Sequence, residues 1–273
     1  MTLADVAAAM SLKNTAGWNQ TETDWSWLLR WSPNGCFAAC DQDALVGTVS
    51  TIAYNRRVAW IGMVIVKSEY RKMGIGTALL KCALKYLDQN GVACVKLDAT
   101  PAGKPLYEQL GFIEEFQIER WQFRRAISER PRAAPQNATN LESIVSLDRL
   151  ACGVDRSELL RAVIESAPEL ACVNTPSPAN TGFALGRRGW IADQLGPWVV
   201  RDRAAASTLL DDFLRHSSRQ CVFVDCLKDS KWAIPLVCSR GFDFVRPLTR
   251  MYRGENCPGQ PRLVGAVLGP EFG

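Results

Sequence analysis

The chain has 273 residues, 47% of them hydrophobic, with ten cysteines, one histidine (His216) and a formal net charge of +4. It is long and apolar enough for two ordinary domains, and its charge splits evenly, +2 over residues 1–128 and +2 over 129–273, so no basic tail or stripe marks a nucleic-acid partner. With one histidine and no Cys-x-x-Cys pair, neither a zinc cluster nor a histidine-based nucleophile is indicated and no metal is expected; no stretch approaches the ~20 apolar residues of a membrane span.

The first 17 residues lack the basic start and apolar run of an export signal, which makes a cytoplasmic location the default. Four tryptophans follow within residues 18 to 31. Trp18 lies beside Asn19 and Gln20 in a loop, Thr21 opens a helix whose first-turn acids, Glu22 and Asp24, serve its dipole, and Trp27 and Trp31 share a helix face expected in the core. Residues 58 to 66, rich in β-branched side chains, predict a buried strand, and Gly62 inside it fits a bulge or a close packing contact. Residues 74 to 88 carry Ile75, Leu79, Leu80, Ala83, Leu84 and Leu87 at helical spacing.

Strand and helix are joined through Arg71-Lys72-Met73-Gly74-Ile75-Gly76-Thr77. The first amides of a helix have no intrahelical partner and its dipole puts roughly +0.5 charge at that end, so an anion over residues 72 to 77 satisfies both. Gly74 and Gly76 let a phosphate reach the backbone, and Arg71 and Lys72 add positive charge. A second strand at 92 to 97 leads to Asp98 and then to Pro105-Leu106-Tyr107-Glu108-Gln109-Leu110-Gly111-Phe112, a short helix closed by Gly-Phe. A dinucleotide-binding Rossmann unit is disfavoured, because Gly-x-Gly-x-x-Gly is missing and Asp98 alone could supply its acidic residue.

Arg71-x-x-Gly74-x-Gly76 after a strand, followed in order by the Tyr107 helix and Gly111-Phe112, resembles the two acetyl-CoA signatures of the GCN5-related N-acetyltransferases (GNAT). The resemblance implies an α/β fold with a mixed sheet and acetyl-CoA as co-substrate. It implies that Met63, Val64, Ile65 and Val66 pair with the pantetheine arm, with a backbone amide near Met63 polarising the thioester, and that Tyr107 stands where family members protonate the departing thiolate. A small-molecule amine is the expected acceptor. Protein lysine or N-terminal acetylation and a non-catalytic acyl-CoA sensor are the alternatives. Asp98 is the preferred group to take the amine's proton, with Glu22 and Asp24 as alternatives, while Trp18, Asn19 and Thr100 are candidate acceptor contacts. Thr100 stands where the family often has Asn.

An internal repeat organises the rest. Trp60-Ile61 recurs as Trp190-Ile191, Gly111-Phe112 as Gly241-Phe242 and Arg120 as Arg250, each 130 residues on. Strands ending at Val200, spanning 221 to 226 and around 249 to 253, with helices at 204 to 216 and 233 to 239, echo the first half. The expected layout is a catalytic domain over 1–128, a linker over 129–139 and a degenerate GNAT-like domain over 140–273, opened by a capping box at Thr139-x-x-Glu142 and a second helix from Asp155-x-x-Glu158. Arg201-Asp202-Arg203-Ala204-Ala205-Ala206 replaces the glycine turn, so the second copy is expected to bind no CoA. Cys82, Cys94, Cys172, Cys221, Cys226 and Cys238 sit in apolar runs and are expected to be buried filler.

Overall fold

A computed structural model describes residues 1–125, 141–174 and 181–273. The expected linker at 129–139 and Thr139 of the proposed capping box lie outside these residues. Along the first half run α1 (Val6–Thr15), α2 (Glu22–Trp31), β1 (Phe37–Asp41), β2 (Ala44–Tyr54), β3 (Val58–Val66), α3 (Ile75–Gln89), β4 (Cys94–Ala99), α4 (Lys104–Gln109) and β5 (Ile113–Arg124). The second half holds α5 (Leu141–Cys152), α6 (Ser157–Ser166), β6 (Cys172–Asn174), β7 (Gly182–Arg187), β8 (Asp193–Val200), α7 (Arg203–His216), β9 (Cys221–Leu227), α8 (Ala233–Ser239), β10 (Asp243–Gly254) and β11 (Val264–Ala266).

Two compact units form, and neither is continuous in sequence. One comprises residues 1–114, 251–256 and 270–273; the other comprises 115–250 and 257–269. In the first unit the strands run β1-β2-β3-β4, and the last residues of β10 lie beyond β4, where Glu255 N–H donates to the Ala93 carbonyl at 3.0 Å. Helix α3 covers one face. Its Leu79, Leu80, Ala83, Leu84 and Leu87 recur at helical spacing and pack on Val49, Ala59, Ile61, Val95, Leu97 and Met251, each leucine contributing about 1.5–3 kcal/mol by leaving water.

In the second unit, residues 243–250 of β10 begin a strand order that continues β5-β9-β11-β8-β7-β6. Strand β5 pairs antiparallel with β9 along seven residues, Ile118 to Arg124 against Leu227 to Cys221. Inside this ladder Arg120 makes a two-pronged bond to Asp225, Nε to Oδ1 at 2.8 Å and Nη2 to Oδ2 at 2.7 Å, and Gln194 adds a third donor. Helix α7 packs Ala205, Ala206, Leu209, Leu210 and Phe213 onto Trp198, Val222 and Val224.

The repeat holds at two of its three anchors. Gly111 (φ +84°) and Gly241 (φ +77°) each reverse the chain after a short helix, and Phe112 and Phe242 are buried next to them. Arg120 and Arg250 are both buried on long strands. Trp190-Ile191 does not correspond to Trp60-Ile61: the first pair lies exposed (56% and 44%) in the turn before β8, whereas the second is inside β3. Cys82 and Cys238 are likewise exposed, because each falls on the solvent side of an amphipathic helix; Cys94, Cys172 and Cys226 are buried as expected.

Asp225 is fully buried and compensates the Arg120 guanidinium. Asp225→Ala is expected to cost about 3–5 kcal/mol by removing the buried carboxylate that both prongs of the guanidinium reach, read as a lower urea midpoint; a change under 1 kcal/mol would show that the pair contributes little.

Candidate functional site

Between β3 and α3 the chain makes a single turn over residues 68–70 and then enters left-handed backbone at Lys72 (φ +64°) and Gly74 (φ +81°). Gly74 caps α3 without a side-chain hydrogen bond. Among the described residues no amide from Lys72 to Thr77 donates to a carbonyl outside the helix, and the first engaged amide is that of Ala78, to Gly74 at 3.0 Å. A left-handed N-cap favours glycine, whose lack of a Cβ also clears the approach; nothing lies within 4 Å of a Cβ built at Gly74, and at Gly76 the nearest atoms are Val66 and Leu106 at 3.7 and 3.8 Å. Arg71 donates through Nε to the Val66 carbonyl at 3.0 Å, which ties it to the end of β3. This arrangement fits a diphosphate: six unfilled amides, a helix dipole and flanking cations.

At the matching point of the second unit, Asp202 caps α7 and accepts from Ala204 N–H at 3.0 Å. The helix end there is already answered by a carboxylate, which repels an anion instead of receiving one.

The strand leading into this turn is β3. Its parallel pairing with β4 stops after Val58–Trp60 against Cys94–Lys96, so from Ile61 onward the strands part. On the other edge the ladder to β2 slips, with Thr48 opposite Ile65 and Ser50 opposite Gly62, leaving Met63 and Val64 facing Val49 alone. This is a bulge. Met63 takes a left-handed φ of +53° there, and Thr48 Oγ1 donates to its carbonyl at 2.7 Å, fixing the peptide plane. Val64, Val66, Ile75, Leu106 and Tyr107 all pack into the core beneath α3. Tyr107 stacks edge-on against Phe112, ring centroids 6.1 Å apart, and burial pushes its phenol up to about 12, so it keeps its proton at neutral pH.

Strand alternation puts Val95, Leu97 and Ala99 in the core beneath α3, hence Lys96 and Asp98 on the opposite face of β4. Thr100 accepts from Gly103 N–H through Oγ1 at 3.2 Å and so serves the turn into α4. Asn19 is buried and Trp18 half-buried, its carbonyl accepting from Lys13 Nζ at 3.1 Å. Asp24 closes a capping box on Thr21, whose N–H donates to Oδ2 at 2.6 Å. Trp25 is the fully buried core tryptophan of α2; Trp27 and Trp31 are half-buried, 6.0 Å apart.

The sequence reading missed the segment 270–273, which belongs to the first unit. Phe272 is buried against Trp27, its carbonyl accepting from Tyr54 Oη at 2.6 Å. Glu271, 1% exposed, accepts from Gln20 Nε2 at 2.7 Å and lies against Gly62, where a Cβ would come within 2.8 Å of Glu271 Cα. Gly62 thus serves both the bulge and a close contact. Its presence in an apolar strand was the one available signal, without a hint of the partner.

Two family comparisons decide the kinship: the Acetyltransferase (GNAT) family matches residues 7–112, and an Acetyltransferase (GNAT) domain matches residues 144–263. The chain belongs to the GNAT family. It is a two-domain GNAT acyltransferase, and acyl transfer from acyl-CoA is the family's chemistry. The uncharacterized N-acetyltransferase YitH of Bacillus subtilis is 25% identical over 161 residues, 56% of this GNAT chain and 55% of YitH, so the match spans about half of that relative. The holothin acyltransferase of a Pseudoalteromonas species is 24% identical over 88% of this chain and 81% of its own. A solved structure from Pyrococcus horikoshii shares the fold with a TM-score of 0.85 at 23% identity, covering 100% of this chain and 94% of its own. A tandem GNAT protein of the clavulanic acid biosynthesis pathway does so with a TM-score of 0.63 at 14% identity, covering 94% of this chain and 98% of its own.

A side chain at Gly62 must displace the backbone of residue 271. Gly62→Ala is expected to lower stability by about 1–3 kcal/mol, measured by thermal melting; an unchanged melting temperature would mean that the contact with Glu271 carries no cost.

Proposed function

We propose that the chain transfers an acetyl group from acetyl-CoA to the primary amine of a small molecule by direct attack within a ternary complex. One observation carries the reading: a row of unfilled amides at the head of α3 lies at the end of the same strand, β3, that parts from β4 and bulges at Met63. The first feature suits the diphosphate, and the second leaves backbone groups of Met63 to Val66 for the pantetheine arm. The name of the Pseudoalteromonas relative, a holothin acyltransferase, supports acylation of a small acceptor.

In this reading Arg71, Lys72 and the amides of residues 72–77 hold the cofactor's diphosphate, and Met63 aims a backbone N–H at the thioester carbonyl. Acetyl-CoA supplies the activated acyl group. Holding both reactants near attack distance is worth up to ~7–11 kcal/mol, and one oriented amide donor adds ~3 kcal/mol. Tyr107, protonated through the neutral range, supplies a proton to the sulfur. Asp98 shares the face of β4 turned away from α3, where an acceptor can meet the gap between the strands. Trp18 and Asn19 are the acceptor contacts in this reading.

The direct test is release of CoA thiol from acetyl-CoA with a broad panel of primary amines that includes benzylamine, phenethylamine, tryptamine and spermidine. Turnover with at least one amine is expected. Tight acetyl-CoA binding without any turnover would replace the enzyme by a sensor. Gly74→Val combined with Gly76→Val is expected to weaken acetyl-CoA at least tenfold by calorimetry; undiminished affinity would remove the diphosphate cradle. Tyr107→Phe should lower kcat at least about 100-fold; a variant with full kcat would remove the tyrosine's role as acid.

A further inference from the structure

The second unit carries a cleft that the acyl-transfer reading does not use. Two cavities, of about 330 and 370 Å³, adjoin at the head of α7 and share Arg203, Trp232 and Arg262. Every residue lining them belongs to the second unit. We infer that this cleft binds an amphipathic anion, an aryl or alkyl body bearing one carboxylate or phosphate, and that it does not bind CoA.

The backbone excludes the cofactor. At the head of α7 Asp202 already answers the Ala204 amide, so no open row of amides awaits a diphosphate. The gap between strands is closed as well. Strand β8 pairs with β9 only over Asp193–Leu195 against Val222–Val224. Beyond that point the chain's own β11 enters, with Ala266 opposite both Trp198 and Cys226. Residues 264–266 therefore fill the parting that β3 and β4 leave in the first unit. The space that remains is of small-molecule size, since ligand pockets start at about 300 Å³.

The two cavities differ in character. In the first, Phe116, Leu227, Trp232 and Pro261 form an apolar wall. The Trp232 ring is fixed before any ligand arrives. It meets Trp198 edge-on with centroids 4.9 Å apart, its Nε1 donates to the Arg262 carbonyl at 3.4 Å, and a Cβ built at Gly265 would come within 2.3 Å of it. In the second cavity Arg201, Arg203, Gln260 and Arg262 gather around the same tryptophan. Lys231 adds a fourth cation at the apolar cavity, and Asp229 is the one carboxylate in the lining of either.

The charge is unspent. Arg120, Arg149, Arg156, Arg188, Arg215 and Arg240 of this unit each hold a carboxylate. Among the described residues Arg201, Arg203, Lys231 and Arg262 hold none, and Arg262 donates only to the neutral Gln260 Oε1, at 3.3 Å. Guanidinium forks match the paired oxygens of a carboxylate or phosphate. A cationic rim and an apolar wall joined through one rigid ring thus suit a ligand with a negative head and an apolar body.

The test titrates the full chain, with excess acetyl-CoA present to occupy the first unit, against 4-phenylbutyrate and phenethyl phosphate by calorimetry. At least one of these anions is expected to bind with a Kd of about 1 mM or tighter, and the tighter of the two names the head group. Neutral 4-phenylbutanol should bind at least tenfold more weakly. Arg203→Ala combined with Arg262→Ala removes two exposed side chains and keeps the carbonyl that holds Trp232, so the chain's own melting temperature should barely move while anion affinity falls at least tenfold. Lys231→Glu, a third exposed position, should weaken the same anion and serves where the double variant does not fold. Binding of neither anion below about 10 mM, equal binding of the alcohol, wild-type affinity in the variants, or displacement of the anion by acetyl-CoA would overturn the inference.

Discussion

Strand β3 keeps to β4 for three residues and then leaves it, and the proposed chemistry depends on that departure. A sheet normally uses up its own backbone donors and acceptors. Here one interior strand parts from its neighbour beyond Trp60 while its other edge stays paired to β2 around a bulge, so a stretch of rigid, dry backbone is left to pair with something else. The strand is buried along most of its length, which keeps the opening from relaxing. The bulge adds direction: Met63 is held in an uncommon conformation, and Thr48 clamps its carbonyl, so the orientation of the neighbouring peptide is set before any ligand arrives.

The two halves show how little separates an open helix start from a capped one. Both present a long amphipathic helix after a strand of the sheet. In the first, a left-handed glycine starts the helix and leaves its amides unanswered; in the second, Asp202 reaches back and answers one of them. An aspartate cap is the better choice for helix stability and the worse one for holding phosphate. In the proposed reading the first half gives up that local stability for a ligand site, a pattern expected where function and folding compete for the same groups.

Much of this was legible from residues alone. The apolar run at 58–66 and the helical spacing after Gly74 gave their elements within a residue, because periodicity over ten or more residues is a strong signal. The turn at 71–77 was legible because glycines beside cations have a short list of uses. Contacts distant in sequence were not. Glu271 is 251 positions from Gln20, and a short polar segment near the end of the numbering has no periodicity to declare its destination. The pairing of Trp60-Ile61 with Trp190-Ile191 failed for the opposite reason, a coincidence of letters with no element beneath it, while Gly111 and Gly241 matched because both must turn left-handed after a helix.

The exchange of segments between the units bears on inheritance. The first unit draws Met251 into its core and Glu271 against Gly62 of β3, although both are encoded after nearly all of the second. A duplicated gene of this form cannot shed its second copy by simple deletion, because the first unit is completed by codons on the far side. A reading frame closed just ahead of residue 270 would leave every strand of both units in place and still remove a group buried beside the bulge.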